Sequence, residues 1–230
     1  MKFANSLHSG TFIKRYKRFF ADIKLGEETV VAHTANTGTM KTCLGENWPV
    51  LMSFHDSPSR KLKYTFEMIH NGKSWIGINT SLTNRLAIEG IENGTIKELQ
   101  GYNKIRPEAK IGQSRLDILL SNSETDLCYV EVKNVTLIDE EGHCIFPDAV
   151  TERGKKHLNE LRELRQKGFR TVMLFIVQRE DCSHFKIDQQ IDRVYCELLK
   201  EVRQAGVEVL AYQCTLSPEE IKVSRPLEIV

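Results

Sequence analysis

Residues 115–135 read RLDILLSNSETDLCYVEVKNV, two apolar runs joined by a polar turn, and the fold of the second half of the chain follows from how they pair. Side chains alternate between the two faces of a strand, so Leu116, Ile118 and Leu120 share one face and leave Asp117 on the other. In the second run Val130, Val132 and Asn134 share a face, with Glu131 and Lys133 together on the opposite one. A hairpin centred on Glu124 sets residues whose numbers sum to 248 opposite each other, which makes Asp117 the cross-strand partner of Glu131 (117 + 131 = 248). Two facing carboxylates repel unless a cation lies between them. A divalent metal ion would resolve the conflict, and so would Lys133 in an ion pair with the two acids.

The first solution is the arrangement that metal-assisted phosphodiester hydrolysis requires. Mg²⁺ or Mn²⁺ takes oxygen ligands, and two carboxylates on adjacent strands with a backbone carbonyl suffice to hold it. Such a metal lowers the pKa of a bound water and stabilises charge on phosphorus, while Lys133 orients the nucleophile or neutralises the transition state. The spacing D-x(13)-E-x-K is that of the PD-(D/E)xK nuclease signature. The shorter string [DE]-x-K also occurs at Asp22–Lys24, Glu108–Lys110 and Glu220–Lys222. Only Glu131–Lys133 follows an acid-bearing strand at hairpin distance and precedes a helix and a buried strand. A third acid is expected from the preceding helix. Glu89 is chosen over Glu98 and Glu108, because its place four residues after Arg85 and three after Leu86 puts it near the inner face. Asp117, Glu131 and Glu89 are thus the expected metal ligands, and with Lys133 the expected catalytic set.

On either side of this hairpin the pattern is α/β. Ser81 is expected to cap a helix carrying Leu82, Leu86 and Glu89, closed by Gly90 and Asn93-Gly94. Strands are expected over 116–120 and 128–138, then a helix over 150–166, a strand over 171–177, a helix over about 188–204 and a strand over 207–212. Thr151 can cap the middle helix, and Leu158, Leu161 and Leu164 form its apolar stripe. Arg153 and Lys156 lie on its first two turns, where a helix N-terminus favours an anion, and are read as phosphate contacts. His157, beside them, is expected to be a satisfied core histidine.

The first 75 residues have a different texture. Short β-runs at 11–23, 29–33, 49–54, 64–69 and 75–78 predict a small five-stranded barrel of the OB type, giving a boundary near 76–80 and two domains, 1–78 and 79–230. The net charge of +1 hides an asymmetry: residues 1–75 hold 11 Lys+Arg against 6 Asp+Glu, and the remainder 21 against 25. Lys14, Arg15, Lys17 and Arg18 interleave with Tyr16 and neighbouring phenylalanines, the mixture suited to phosphates and base faces together. These five residues are the expected nucleic-acid contacts of the barrel.

With 40% hydrophobic and 27% charged residues the chain is neither disordered nor fibrous. It has no long apolar run and no signal-peptide pattern at its start, so a cytoplasmic location away from membranes is expected. The six cysteines show no C-x-x-C pair and no zinc-finger spacing, and are read as reduced, buried hydrophobes.

The chain resembles the sugar fermentation stimulation protein A (SfsA) family over nearly its whole length. The resemblance is carried by RYKRF at 15–19 with Ala21-Asp22, HTANTGTM at 33–40, RKLKYTFE at 60–67, Asn79-Thr80 with NRL at 84–86, SRLD at 114–117, YVEVK at 129–133 and FPDAVTERG at 146–154. Ala35 stands where the family's H-x-P-N-T-G-x-M loop has proline. The loop can turn on Gly38 to present N–H groups to a phosphate, or serve as a tight turn between strands. The resemblance implies an OB-like barrel followed by a PD-(D/E)xK nuclease-like domain, non-specific DNA binding and a regulatory link to maltose use. The expected function is therefore a largely sequence-non-specific DNA-binding protein with a metal-dependent nuclease-like site. The alternatives are a non-catalytic DNA-binding regulator of sugar utilisation, or a nuclease acting on RNA, which a basic-aromatic barrel does not distinguish from DNA.

Overall fold

The computed structural model describes residues 1–111 and 114–230. The N-terminal strands are β1 (His8–Tyr16), β2 (Phe20–Leu25), β3 (Glu28–His33), β4 (Pro49–Phe54) and β5 (Tyr64–His70), hydrogen-bonded in the order β3-β2-β1-β4-β5. A parallel pairing of Ala32 and His33 on β3 with Tyr64 and Thr65 on β5 closes them into a five-stranded barrel, the OB architecture. β6 (Trp75–Gly77) adds outside the closure, on β5. Phe12, Ile23, Met52 and Phe66 fill the barrel. The run 11–23, expected as one strand, is a hairpin of two. Lys17 and Arg18 take left-handed backbone angles, φ 48° and 64°, and turn the chain back without the glycine or asparagine that usually signals such a turn.

The second domain begins with a single 3₁₀ turn at Thr80–Leu82 and α1 (Thr83–Glu92). Ser81 does not cap α1, which has no side-chain cap; Asn79 caps the 3₁₀ turn before it, its side chain accepting from the Ser81 N–H. Gly90, expected at the helix end, lies inside α1, where an added Cβ would sit 3.1 Å from Val223 and Ile96. There follow β7 (Lys104–Ile111), β8 (Ser114–Ser121), β9 (Leu127–Val135), β10 (Leu137–Ile138), β11 (His143–Phe146), α2 (Glu152–Gln166), β12 (Arg170–Val177), β13 (His184–Ile187), α3 (Arg193–Gln204), β14 (Glu208–Leu216) and β15 (Ile221–Pro226). The main sheet runs β15-β14-β12-β9-β8-β7, with β12 parallel to both β9 and β14. α2 and α3 pack on one face and α1 on the other, so the central strands are buried on both sides. β7, β11, β13 and β15 are additions to the expected elements. β7 hides its strand character behind Pro107 and a left-handed Glu108, φ 52°. α3 starts five residues later than expected, where the Asp192 side chain accepts from Tyr195 N at 3.0 Å. The Thr151 cap on α2 is as expected, accepting from Gly154 N at 3.0 Å.

The cysteine expectation needs one correction. Cys144 on β11 and Cys182, in the turn after β12, form a disulfide, while Cys43, Cys128, Cys196 and Cys214 are free and buried. The pairing of β11 with β13 brings together two thiols 38 residues apart, which spacing along the chain does not reveal. Among the described residues no helix is long and apolar enough to cross a membrane.

Barrel and α/β domain are joined through a buried arginine. Arg179, with no exposed surface, grips Asp181 through Nε and Nη2 at 2.7 Å each and donates to Thr136 O at 2.6 Å. Asn71 of the barrel donates to the same Asp181 at 2.7 Å, and Gly77 N to Gln178 O at 2.8 Å.

Candidate active site

The β8–β9 ladder pairs Ile118 with Val130, Leu119 with Tyr129, Leu120 with Cys128 and Ser121 with Leu127, each pair summing to 248. Asp117 and Glu131 are the next step of that register. There the ladder gives way to side-chain bonds: Asp117 Oδ2 accepts from Val132 N at 2.9 Å, and Oδ1 from Asn84 Nδ2 of α1 at 2.9 Å. Glu131 is 1% exposed. Its Oε1 accepts from Lys133 Nζ at 2.5 Å and lies against Nδ1 of His157, and that same Nδ1 is 3.2 Å from Lys133 Nζ. Its Oε2 is buried without a hydrogen-bond partner among the described residues.

The two acids are driven apart electrostatically. Burial first, and then the charge of Glu131, push the Asp117 carboxyl above its ordinary pKa, and the bonds from Val132 and Asn84 offset this only in part. Burial also acts upward on Glu131, but the bond to His157 and the charge of Lys133 outweigh it and hold that carboxyl below the usual range. Tyr195 of α3 lies behind Glu131, its hydroxyl buried and unpartnered among the described residues. Burial and the charge of Glu131 raise that phenol well above its usual range.

His157 is buried and satisfied, as expected, and the partner that satisfies it is Glu131. The signal of His157 is positional: Gly154, His157, Leu158, Leu161 and Leu164 form the buried stripe of α2, so this polar ring faces the strand that carries an acid. Glu89 is not part of the constellation. Its carboxylate takes the N-terminal ammonium of Met1 at 2.6 Å. Asn84 is the α1 residue that reaches Asp117; at 3.6 residues per turn the five-residue step from Asn84 to Glu89 rotates about 140° around the helix. A neutral amide thus occupies the place where a third acid was expected.

Asn84 and Lys133 floor a cleft of about 700 Å³ between the two domains. Arg15, Arg18 and the loop 36–39 line it from the barrel; Asp148, Thr151 and Arg153 line it from the other side. Arg15, expected to contact phosphate, is largely engaged within the protein: Nη1 donates to Gly38 O at 2.9 Å, Nη2 to Asn36 O at 2.7 Å and Nε to Arg18 O at 3.0 Å. The loop it holds is wedged against Asp148, since a Cβ on Gly38 would fall 1.4 Å from Asp148 Oδ2. Gly38 N is bonded to Asn36 Oδ1 at 2.9 Å, so this N–H serves the tight turn and not an anion. Lys14 lies 3.6 Å from Asp22 and over the ring of Tyr16, which itself stacks on Phe20. Lys17 and Arg18 are exposed at the hairpin tip, and Arg153 is exposed on the cleft wall. Lys156 does not line the cleft; one turn along α2 it pairs with Glu160 at 3.6 Å.

Comparison with known proteins matches residues 13–78 to the SfsA N-terminal OB domain and residues 81–220 to the sugar fermentation stimulation protein RE domain. The chain belongs to the sugar fermentation stimulation protein (SfsA) family. A sugar fermentation stimulation protein homolog of Geobacter sulfurreducens is 50% identical over 226 residues, covering 97% of this chain and 96% of the relative. One from Pelagibacter ubique is 45% identical over 231 residues, covering 100% and 99%. The solved structure of Pyrococcus furiosus SfsA in complex with Ca²⁺ superposes with a TM-score of 0.88 at 28% identity, covering 100% of this chain and 98% of that one. In this SfsA chain residues 36–39 of the stretch 33–40 face residues 146 and 148–151 of the stretch 146–154 across the cleft, meeting where Gly38 and Thr39 touch Asp148, and of YVEVK at 129–133 only Val132 and Lys133 line it.

Proposed function

We propose that this SfsA protein binds DNA largely without sequence preference and hydrolyses its phosphodiester bonds at Asp117, Glu131 and Lys133 with Mg²⁺ or Mn²⁺. The observation that carries this reading is Glu131 Oε2, a buried, unpartnered carboxylate oxygen beside an acid whose pKa its own charge raises. Buried polar atoms are rarely left without partners, and two hard oxygen donors that repel each other fit a hard divalent cation. The Ca²⁺ complex of the Pyrococcus furiosus relative supports the same choice of ligand chemistry. Asp117 and Glu131 would hold the ion, which when bound supplies an acidified water and charge stabilisation at phosphorus.

The remaining chemistry belongs to the chain. His157 and Lys133 fix Glu131 through one oxygen and leave the other free. Asn84 and the Val132 N–H fix Asp117. The Lys133 ammonium, on the cleft floor, can neutralise charge developing on a phosphoryl oxygen, and Arg18 and Arg153 bracket the cleft to position flanking phosphates.

The test is incubation of the purified protein with single- and double-stranded DNA and RNA, in Mg²⁺, Mn²⁺ or EDTA, beside Asp117→Asn and Lys133→Ala. Cleavage by the wild type that needs metal and is lost in both variants is expected, with the RNA arms ranking substrates. Absence of cleavage in every metal, with a melting temperature indifferent to Mg²⁺ and Mn²⁺, overturns it. A second reading rests on Asn84 in place of a third acid and on the closed Glu131–Lys133–His157 contacts. It is a non-catalytic DNA-binding regulator of sugar (maltose) utilisation, for which the same assay shows binding that persists in EDTA and no cleavage in any metal.

A further inference from the structure

Phe19 is a large aromatic side chain that the fold does not bury. It follows the two left-handed residues at the tip of the β1–β2 hairpin and is 44% exposed. Its ring lies within 3° of parallel to the imidazole of His33, the centroids 6.5 Å apart. The pair is set by the backbone: Phe20 and His33 are register partners across β2 and β3, and Thr34 N donates to Phe19 O at 2.9 Å. The two rings therefore present a pre-formed, similarly oriented aromatic surface at the barrel edge.

Cations flank that surface on both sides. Arg18, the residue before Phe19, lines the interdomain cleft. Beyond His33, Arg60 and Lys61 share a shallow hollow with His33 and Phe20. The order across the surface is thus cations, rings, a cation, and then the cleft with Lys133 and Arg153. The barrel is held in this alignment, because Arg15 keeps the loop wedged against Asp148 and Asn71 of the barrel bonds Asp181, which the buried Arg179 grips.

We infer that Phe19 and His33 are a stacking platform for an unpaired base, and that the strand led into the cleft is single. The inference rests on the DNA-binding part of the proposed function and adds its substrate class. Arg60 and Lys61 take the backbone on one side of the stacked base, and Arg18 passes the next phosphate toward the cleft. A duplex offers the cations its phosphates, but its base faces are already stacked on one another, so only an unpaired strand uses the rings as well.

The experiment measures anisotropy of a fluorescein-labelled thymidine homopolymer and of a duplex of equal length, with the full chain in EDTA so that no cleavage intervenes. Phe19→Ala is expected to weaken the single strand about tenfold, as for removal of one base stack, with the duplex affinity and the salt slope unchanged. Phe19→Trp should restore affinity, and its indole emission should be quenched by the thymidine homopolymer. This second variant guards against a folding defect in the first. Phe19→Ala with wild-type affinity for the single strand, or with equal losses on both probes, overturns the platform. A wild type that binds neither probe overturns the DNA-binding reading and the platform together. Binding that depends on Phe19 in a protein that never cleaves supports the platform and removes only hydrolysis.

Discussion

The tip of the barrel hairpin and the first two turns of α2 both offer cations beside a ring, and the fold treats them in opposite ways. At the hairpin, Arg15 is held by the carbonyls of Asn36, Gly38 and Arg18, so a residue that reads as a phosphate contact is structural, while Phe19 is left exposed. On α2, His157 lies against Glu131 with Lys133 within 3.2 Å, so a residue that reads as core filling belongs to the site. The difference teaches that a polar side chain's role follows from which of its donors and acceptors the fold has already satisfied. Charge and exposure propensity come second.

The largest effect that tests this contrast comes from Glu131→Gln. It removes the counter-charge of the half-buried Lys133 and the carboxylate that His157 lies against, and should destabilise the protein by about 3 kcal/mol, the lower end of the range for breaking a buried pair, in urea or thermal melts. A melting curve like that of the wild type would show that Asp117, not Glu131, balances the Lys133 ammonium. The pH dependence has a definite sign. The Glu131 carboxyl lies below its ordinary value, so the stability it contributes is present above the unfolded pKa and is lost as pH falls through the lower folded one.

Next in size is Arg15→Ala, which frees three carbonyls and the wedged loop. A loss of about 1–3 kcal/mol is expected, toward the lower end because the side chain is partly solvated. Lys17→Ala, at the exposed tip, should move stability by no more than about 0.5 kcal/mol. Equal effects of the two would remove the distinction between a structural and a binding cation.

The roles reverse when DNA binding is measured. Lys17→Ala and Arg18→Ala should each flatten the salt dependence of binding by about one unit of slope for every phosphate left without its cation, whereas Lys156→Ala, outside the cleft, should leave it unchanged. Unchanged slopes in both tip variants would place the binding surface elsewhere.

The smallest stability effect belongs to Asp117→Asn. Because the Asp117 carboxyl is raised, the native state binds more protons than the unfolded chain between the ordinary and the raised value, and stability falls as pH rises through that window. Ionised Asp117 is thus a cost at neutral pH, and the amide relieves it, provided the Asn84 side chain flips to offer its oxygen. Melting should show Asp117→Asn as stable as the wild type or slightly more so at neutral pH, the difference closing in acid, with most of any Mg²⁺-induced gain abolished. A strongly destabilised variant beside a metal-indifferent wild type would make Asp117 a structural counter-ion.

Strand alternation and the polar turn determined from the sequence alone that Asp117 stands opposite Glu131 and that Lys133 shares the face of Glu131, because a period of two and a hairpin centre fix register by arithmetic. The barrel's β-runs, the Thr151 cap and the apolar stripe of α2 were legible for the same reason: each signal is confined to a few neighbouring residues. The replacement of Glu89 by Asn84 was not, since an apolar stripe gives the phase of a helix too coarsely to say which of two polar residues reaches a neighbouring strand. Nor were the bonds of Arg15 to carbonyls 21 and 23 residues away, the contact of His157 with Glu131 across 26, or the disulfide across 38. Those partners meet only when sheet, helix and barrel close on one another, and no local pattern in the chain records where that closure brings them together.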